Sequence, residues 1–265
     1  ADSVDRIVDG SGEYTYRQRL HAIHSLHEDL TDSEVERLLG LLERRDDEDK
    51  ALPKFLVHLK NEVCNGLKED RDMRRALATT LIRELERVPE NPTWHDYAIQ
   101  HLSTVQKSLT DDARTRSVEL FFQATEHRGG ALCGTALLAL HRSVRTREEE
   151  RTLDEIALRV SGDPEYHDGS RVTALQVCAV RGIEDVAPVA REILRDDKAG
   201  HVAISAIAAL GAVGSEDDLS LRQAQADSRD PRRRTPARAA LQRMRQRFEP
   251  KEQQARNDSR EVSTP

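Results

Sequence analysis

Three histidines, His21, His24 and His27, stand three residues apart near the start of the chain, with Glu28 four positions after His24. Spacings of three and four bring side chains onto one face of a helix, where imidazoles and a carboxylate could hold a zinc ion. The apolar residues of the same stretch, Leu20, Ile23, Leu26 and Leu30, fall on the opposite side. The histidines therefore read as an exposed polar stripe on an amphipathic helix, and no metal or other cofactor is expected.

The remaining chemistry-bearing residues converge no better. Cys64, Cys133 and Cys178 are widely spaced and form no CxxC pair. Cys133 and Cys178 fall in register with core positions, whereas Cys64 is expected to be partly exposed, and a reducing compartment fits all three. Trp94 and Tyr97 open one helix, but no aromatic series continues along the helices that follow each turn, so Trp94 is assigned to a seam between repeats. Glycines 129, 130, 182, 200, 211 and 214 lie at helix ends with no strand before them, which removes phosphate-loop and dinucleotide readings. Carboxylates are plentiful but interleaved with arginine, and no acid–base pair stands out.

Composition points to the elements that carry these residues. Charged residues make up 34% of the chain and aromatic ones only 3%, with 37% hydrophobic. That suits helices packed through Leu, Ile, Val and Ala more than one deep core. No apolar run approaches the ~18 residues that span a bilayer. A net charge of −7 argues against a general nucleic-acid binder.

Helical periodicity and punctuation then give an all-α chain. A first helix is expected from about Tyr14 to Asp29, and Thr31 with Glu34 forms a capping box for the next. A second hairpin runs from about Leu52 to Val88, with apolar faces ending in Leu81, Leu85 and Val88. Pro89 and Pro92 break the chain, and a third hairpin runs from Thr93 to His127 with Thr110 as its inner cap. The fourth pairs Ala136–Leu140 with Leu153–Val160 and stops at Ser161 to Pro164. The fifth turns at Gly182 and the sixth at Gly214. A last helix is expected to begin at Thr235–Pro236. Residues 1–13 form an N-terminal arm, 14–248 the repeat domain and 249–265 a disordered tail.

The helices repeat at intervals of roughly thirty to forty residues. Ala203, Ala206, Ile207 and Leu210 match Ala237, Ala240, Leu241 and Met244 without gaps, and Ile23, Leu26, Thr31 and Val35 match Ile207, Leu210, Ser215 and Leu219. The stretch Ala203 to Gly211, with Val213-Gly214-Ser215-Glu216-Asp217, resembles HEAT repeats of the short bacterial kind, which include those related to phycobilin lyases. The resemblance covers about Arg171 to Met244 and extends earlier only as a hairpin pattern. It implies an α-solenoid of about six hairpins plus a terminal helix, with second helices lining the concave side, and a family that mostly binds proteins. His27-Glu28 is also similar to the His-Glu pairs of deoxyhypusine hydroxylase, a di-iron HEAT enzyme, but one pair cannot make that site. DNA alkylation-repair glycosylases of similar repeats need concave aromatics that the second helices lack.

On this resemblance the second helices present Arg37, Arg74, Arg114, Arg151, Arg191 and Arg222 toward a partner, alternating with acids that include Glu36, Glu119, Glu155 and Glu192. Arg233 and Arg234 open a basic terminal patch, opposite in sign to the acid-rich stretch from Glu28 to Asp49. The expected function is a non-enzymatic scaffold for a protein partner, in the cytoplasm. Alternatives are a phycobilin-lyase-like, ligand-handling enzyme and nucleic-acid binding through the basic end. Ala1 is expected to follow removal of an initiator methionine, the alternative being a cleaved export signal.

Overall fold

The computed structural model describes residues 3–26, 30–88, 91–196 and 200–248, and among these it contains helices and no strands. No helix in the described residues is long and apolar enough to cross a membrane. The chain divides into two compact units. The first holds residues 1–127 and 131–145, and the second holds 128–130 and the chain from Thr146 onward.

The first unit contains α1 (Ser3–Val8), α2 (Tyr16–His24), α3 (Asp32–Glu43), α4 (Pro53–Leu67), α5 (Met73–Glu86), α6 (Pro92–Val105), α7 (Asp111–Ala124) and α8 (Leu132–Ser143). Helices α2, α4, α6 and α8 pack side by side in one row, and α1, α3, α5 and α7 form a second row against them. Leu38, Leu42, Leu56, Leu59, Leu77, Leu81, Leu102, Phe121 and Leu137 are fully buried between the rows. The local signals act as expected at α3 and α7. Thr31 accepts from the Glu34 amide while the Glu34 carboxylate takes the Thr31 N–H, and Thr110 accepts from the Ala113 amide.

The second unit contains α9 (Arg147–Gly162), α10 (Asp168–Arg181), α11 (Val186–Arg195), α12 (Gly200–Val213), α13 (Leu219–Ala226) and α14 (Pro231–Phe248). Helices α10, α12 and α14 pack in succession, with α9 and α11 together beside them. Gly182 ends α10 in the left-handed conformation at φ 69°, which lets the Ile183 amide reach back to the Cys178 carbonyl at 3.0 Å. Ala203, Ala206, Ile207 and Leu210 are buried, as their repeated pattern requires.

Several expectations need correction. Residues 1–13 are not only an arm: Ser3–Val8 is helical, with Val4 and Ile7 buried against α2 and α3. Between helices consecutive in the chain, packing is closer for α1–α2, α5–α6 and α7–α8 in the first unit and for α9–α10, α11–α12 and α13–α14 in the second than for the pairs that the expected hairpins join. The pairing is thus one helix out of step with the expected hairpins, and α8 and α9 fall in different units. Helix α14 starts at Pro231, not at Thr235, because the Asp230 carboxylate caps the Arg232 amide, leaving Pro236 inside the helix. Val88 follows the end of α5 and is 91% exposed, and Cys64 is fully buried. The acidic residues Glu28 and Asp29, His27, Pro89 and the tail 249–265 lie outside the described residues.

Candidate functional site

The histidine stripe behaves as an exposed face. His21 and His24 are exposed, and His24 Nε2 lies 3.2 Å from Glu62 Oε2 on α4. Among the described residues no group of three or more His, Cys, Asp or Glu could hold a metal ion. His27 and Glu28 lie outside the described residues.

Most of the arginines expected on a partner-facing row bond within the chain. Arg37 bonds Asp5 at 2.5 Å and ties α3 to α1. The Arg74 guanidinium donates to the Lys68 carbonyl at 2.6 Å, closing the turn before its own helix. Arg114 reaches the Ser143 carbonyl at the end of α8 at 3.4 Å. In the second unit, Arg191 forks both oxygens of Asp218 at 2.6 and 2.9 Å, and Asp218 also accepts from the Ser215 amide at 2.9 Å. These contacts hold the Asp218 carboxyl below its ordinary pKa against the opposing effect of burial. Arg233 and Arg234 are half-buried in the first turn of α14, their amides bonded to the Asp230 carbonyl.

Arg222 departs furthest from expectation. It is fully buried, and its Nη2 donates to the Ile207 carbonyl of α12 at 2.7 Å. Its Nε and Nη1 have no hydrogen-bond partner. Burial lowers its pKa to about 10, partly offset by the Asp218 charge, so it stays protonated at neutral pH. It cannot meet a partner at the surface. Three exposed arginines pair within the chain: Arg151 with Glu155 at 3.6 Å, Arg195 with Glu192 at 2.9 Å, and Arg116 with both Glu86 and Glu119 at 2.8 Å. Exposed pairs of this kind are worth little to stability.

A different surface gathers the scarce aromatic residues. The chain has one tryptophan, four tyrosines and four phenylalanines, and Tyr16, Phe55, Trp94 and Tyr97 all lie in the first two turns of α2, α4 and α6. These three helices are neighbours in one row. The Tyr16 and Phe55 rings stack at 4.6 Å with 18° between their planes. With Tyr97, His58, Thr93 and Lys54 they line an open groove of about 450 Å³. The Lys54 ammonium lies 5.1 Å from the Phe55 ring centre, a cation–π contact. Burial, with the Glu62 charge adding to it, raises the Tyr16 pKa, so the phenol stays protonated and remains a donor.

A buried polar cluster holds this groove in place. Trp94 donates from Nε1 to Glu84 Oε2 at 3.1 Å, and Arg87 donates to Glu84 Oε1 at 2.9 Å. Lys60, 4% exposed, donates to the Arg44 carbonyl at 2.6 Å with its ammonium 5.1 Å from the Trp94 ring centre. His95 is buried beside them, and desolvation lowers its pKa despite the nearby Glu84 charge, so the ring is neutral near pH 7. The cluster lines a cleft of about 290 Å³ that shares Val57 and Asn91 with the aromatic groove. Lysine, carboxylate and imidazole here are each engaged by neighbours, and their effect is to orient the start of α6 and therefore Tyr97.

The sequence carries the signal for the groove: an aromatic residue stands in the first turn of α2, α4 and α6, the helices before the turns, and in none of the first turns of α3, α5 and α7 that follow them. The chain matches no protein-family model, and no curated protein matches it significantly.

Proposed function

We propose that this chain is a non-enzymatic binding module of HEAT-like helical hairpins that holds an extended segment of a protein partner. The groove lined by Tyr16, Phe55 and Tyr97 is the observation that carries this reading. In a chain with so few aromatic residues, three half-buried rings share one open groove on adjacent helices. Tyrosine and phenylalanine supply large contact area at small entropic cost, which is why they mark protein-binding surfaces. The groove is open rather than enclosed.

Photo-cross-linking tests it. A benzophenone amino acid is placed at Tyr97, in the groove, or at Glu119 on the exposed face of α7, and the full chain is irradiated in extract from its source. A discrete protein adduct from position 97 and none from 119 supports the reading. Adducts from 119 alone place the working surface on the other row of helices.

A further inference from the structure

We propose that the groove accepts an acidic, proline-containing segment in the polyproline II conformation. The inference rests on reading this face as the protein-binding surface and names the chemistry of its occupant. Helices packed side by side lie ~8–10 Å apart. A polyproline II helix advances ~9.3 Å per three-residue turn, so one turn meets each of α2, α4 and α6. Such a segment makes no internal hydrogen bonds and offers its carbonyls outward, where they need donors. Tyr16 and Tyr97 line the groove, and their hydroxyls make no hydrogen bond among the described residues.

Charge specifies the segment further. Lys54 is the one Lys or Arg among the residues lining the groove, no carboxylate lines it, and Lys54 has no ion-pair partner among the described residues. An acidic residue in the ligand complements it. A single-stranded nucleic acid fits less well, because base stacking needs free ring faces. Here Tyr16 and Phe55 cover one another, and Lys54 lies over Phe55. Pyrrolidine rings dock in aromatic-lined grooves, and the Tyr97 ring makes no ring contact among the described residues.

Fluorescence anisotropy with the full chain decides the matter. The probe is a labelled peptide repeating Glu-Pro-Pro over about nine residues, enough for three turns. The comparisons are Glu-Gly-Gly of equal length and a labelled oligothymidylate. The proline peptide is expected to saturate, with the glycine peptide at least about tenfold weaker because it loses both the preformed conformation and the ring contacts. Tyr97→Ala should abolish binding. The exposed change Lys54→Glu should weaken it about five- to tenfold and flatten its salt dependence without affecting folding. Equal binding of the two peptides, tighter binding of the oligothymidylate, or no saturation by the proline peptide overturns the proposal. If position 97 still cross-links a protein in that case, the groove remains a binding surface for another kind of segment; if it does not, both readings fall together.

Discussion

Arg19 and Asp49 form a buried forked pair, with Nη1 and Nη2 at 2.8 and 2.9 Å from the two carboxylate oxygens. Arg19 is 2% exposed although it stands beside Leu20 on a short amphipathic helix. The reason is that every polar edge is satisfied. Arg19 Nε donates to the Ile7 carbonyl, and Asp49 accepts from Arg44 and from the Ala51 amide. One ion pair thus joins α1, α2 and the turn after α3.

Removing one partner leaves the other charge buried and unpaired, the costly case. Asp49→Ala is expected to destabilise the first unit by about 3–5 kcal/mol. The paired replacement Arg19→Met with Asp49→Leu should recover much of that loss. Urea unfolding followed by circular dichroism measures both.

Acid should weaken the protein in two stages. His101 is buried and held neutral, and desolvation lowers its pKa to about 4 while the unfolded ring titrates near 6.5. Between those values the unfolded chain binds more protons, so stability falls as pH drops from about 6.5 to about 4. Asp49 and Asp218 are held below their ordinary value by the hydrogen bonds and arginines that outweigh burial. Their contribution is full above about 3.9 and is lost as pH falls through the lower folded values. His101→Gln should shrink the first stage, leaving the part that the desolvated His95 contributes, and leave the second unchanged, as read from urea midpoints across the pH range.

Arg222 predicts opposite outcomes for two substitutions. Its Nε and Nη1 lack hydrogen-bond partners, so the apolar Arg222→Met should leave the second unit as stable or more stable. Arg222→Glu buries a carboxylate against the Ile207 carbonyl and should unfold that unit. Thermal melts of both variants would show this. A partner-binding role predicts instead that both fold equally and differ only in binding.

The cysteines should be inert in the folded protein. Cys64, Cys133 and Cys178 are fully buried, and desolvation pushes the Cys178 thiol up to about 12 and Cys64 well above its ordinary value. Thiolates are the reactive species. A thiol reagent at pH 8 should therefore modify all three only at the rate of unfolding, and fast labelling of Cys64 in the native protein contradicts its burial.

What the sequence determined by itself was the set of helices from α2 to α14 and most of their punctuation. Helical hydrogen bonds, capping boxes such as Thr31 with Glu34, and the stop at Ser161 to Pro164 close within a few residues, so local order suffices to read them. The polar character of His21 and His24 and the burial of Cys133 and Cys178 followed from the same periodicity. Tertiary structure alone decided which neighbouring helices pair, because the connections on both sides of a helix are short and only the packing of faces chooses between them. It also decided that Arg19 and Arg222 go inside while Val88 stays out. Burying a guanidinium depends on what it meets: Arg19 finds Asp49, 30 positions away, and Arg222 finds the carbonyl of Ile207, 15 positions away. The aromatic groove arose in the same way, from side chains on α2, α4 and α6 that are distant in the chain and meet because those helices lie side by side.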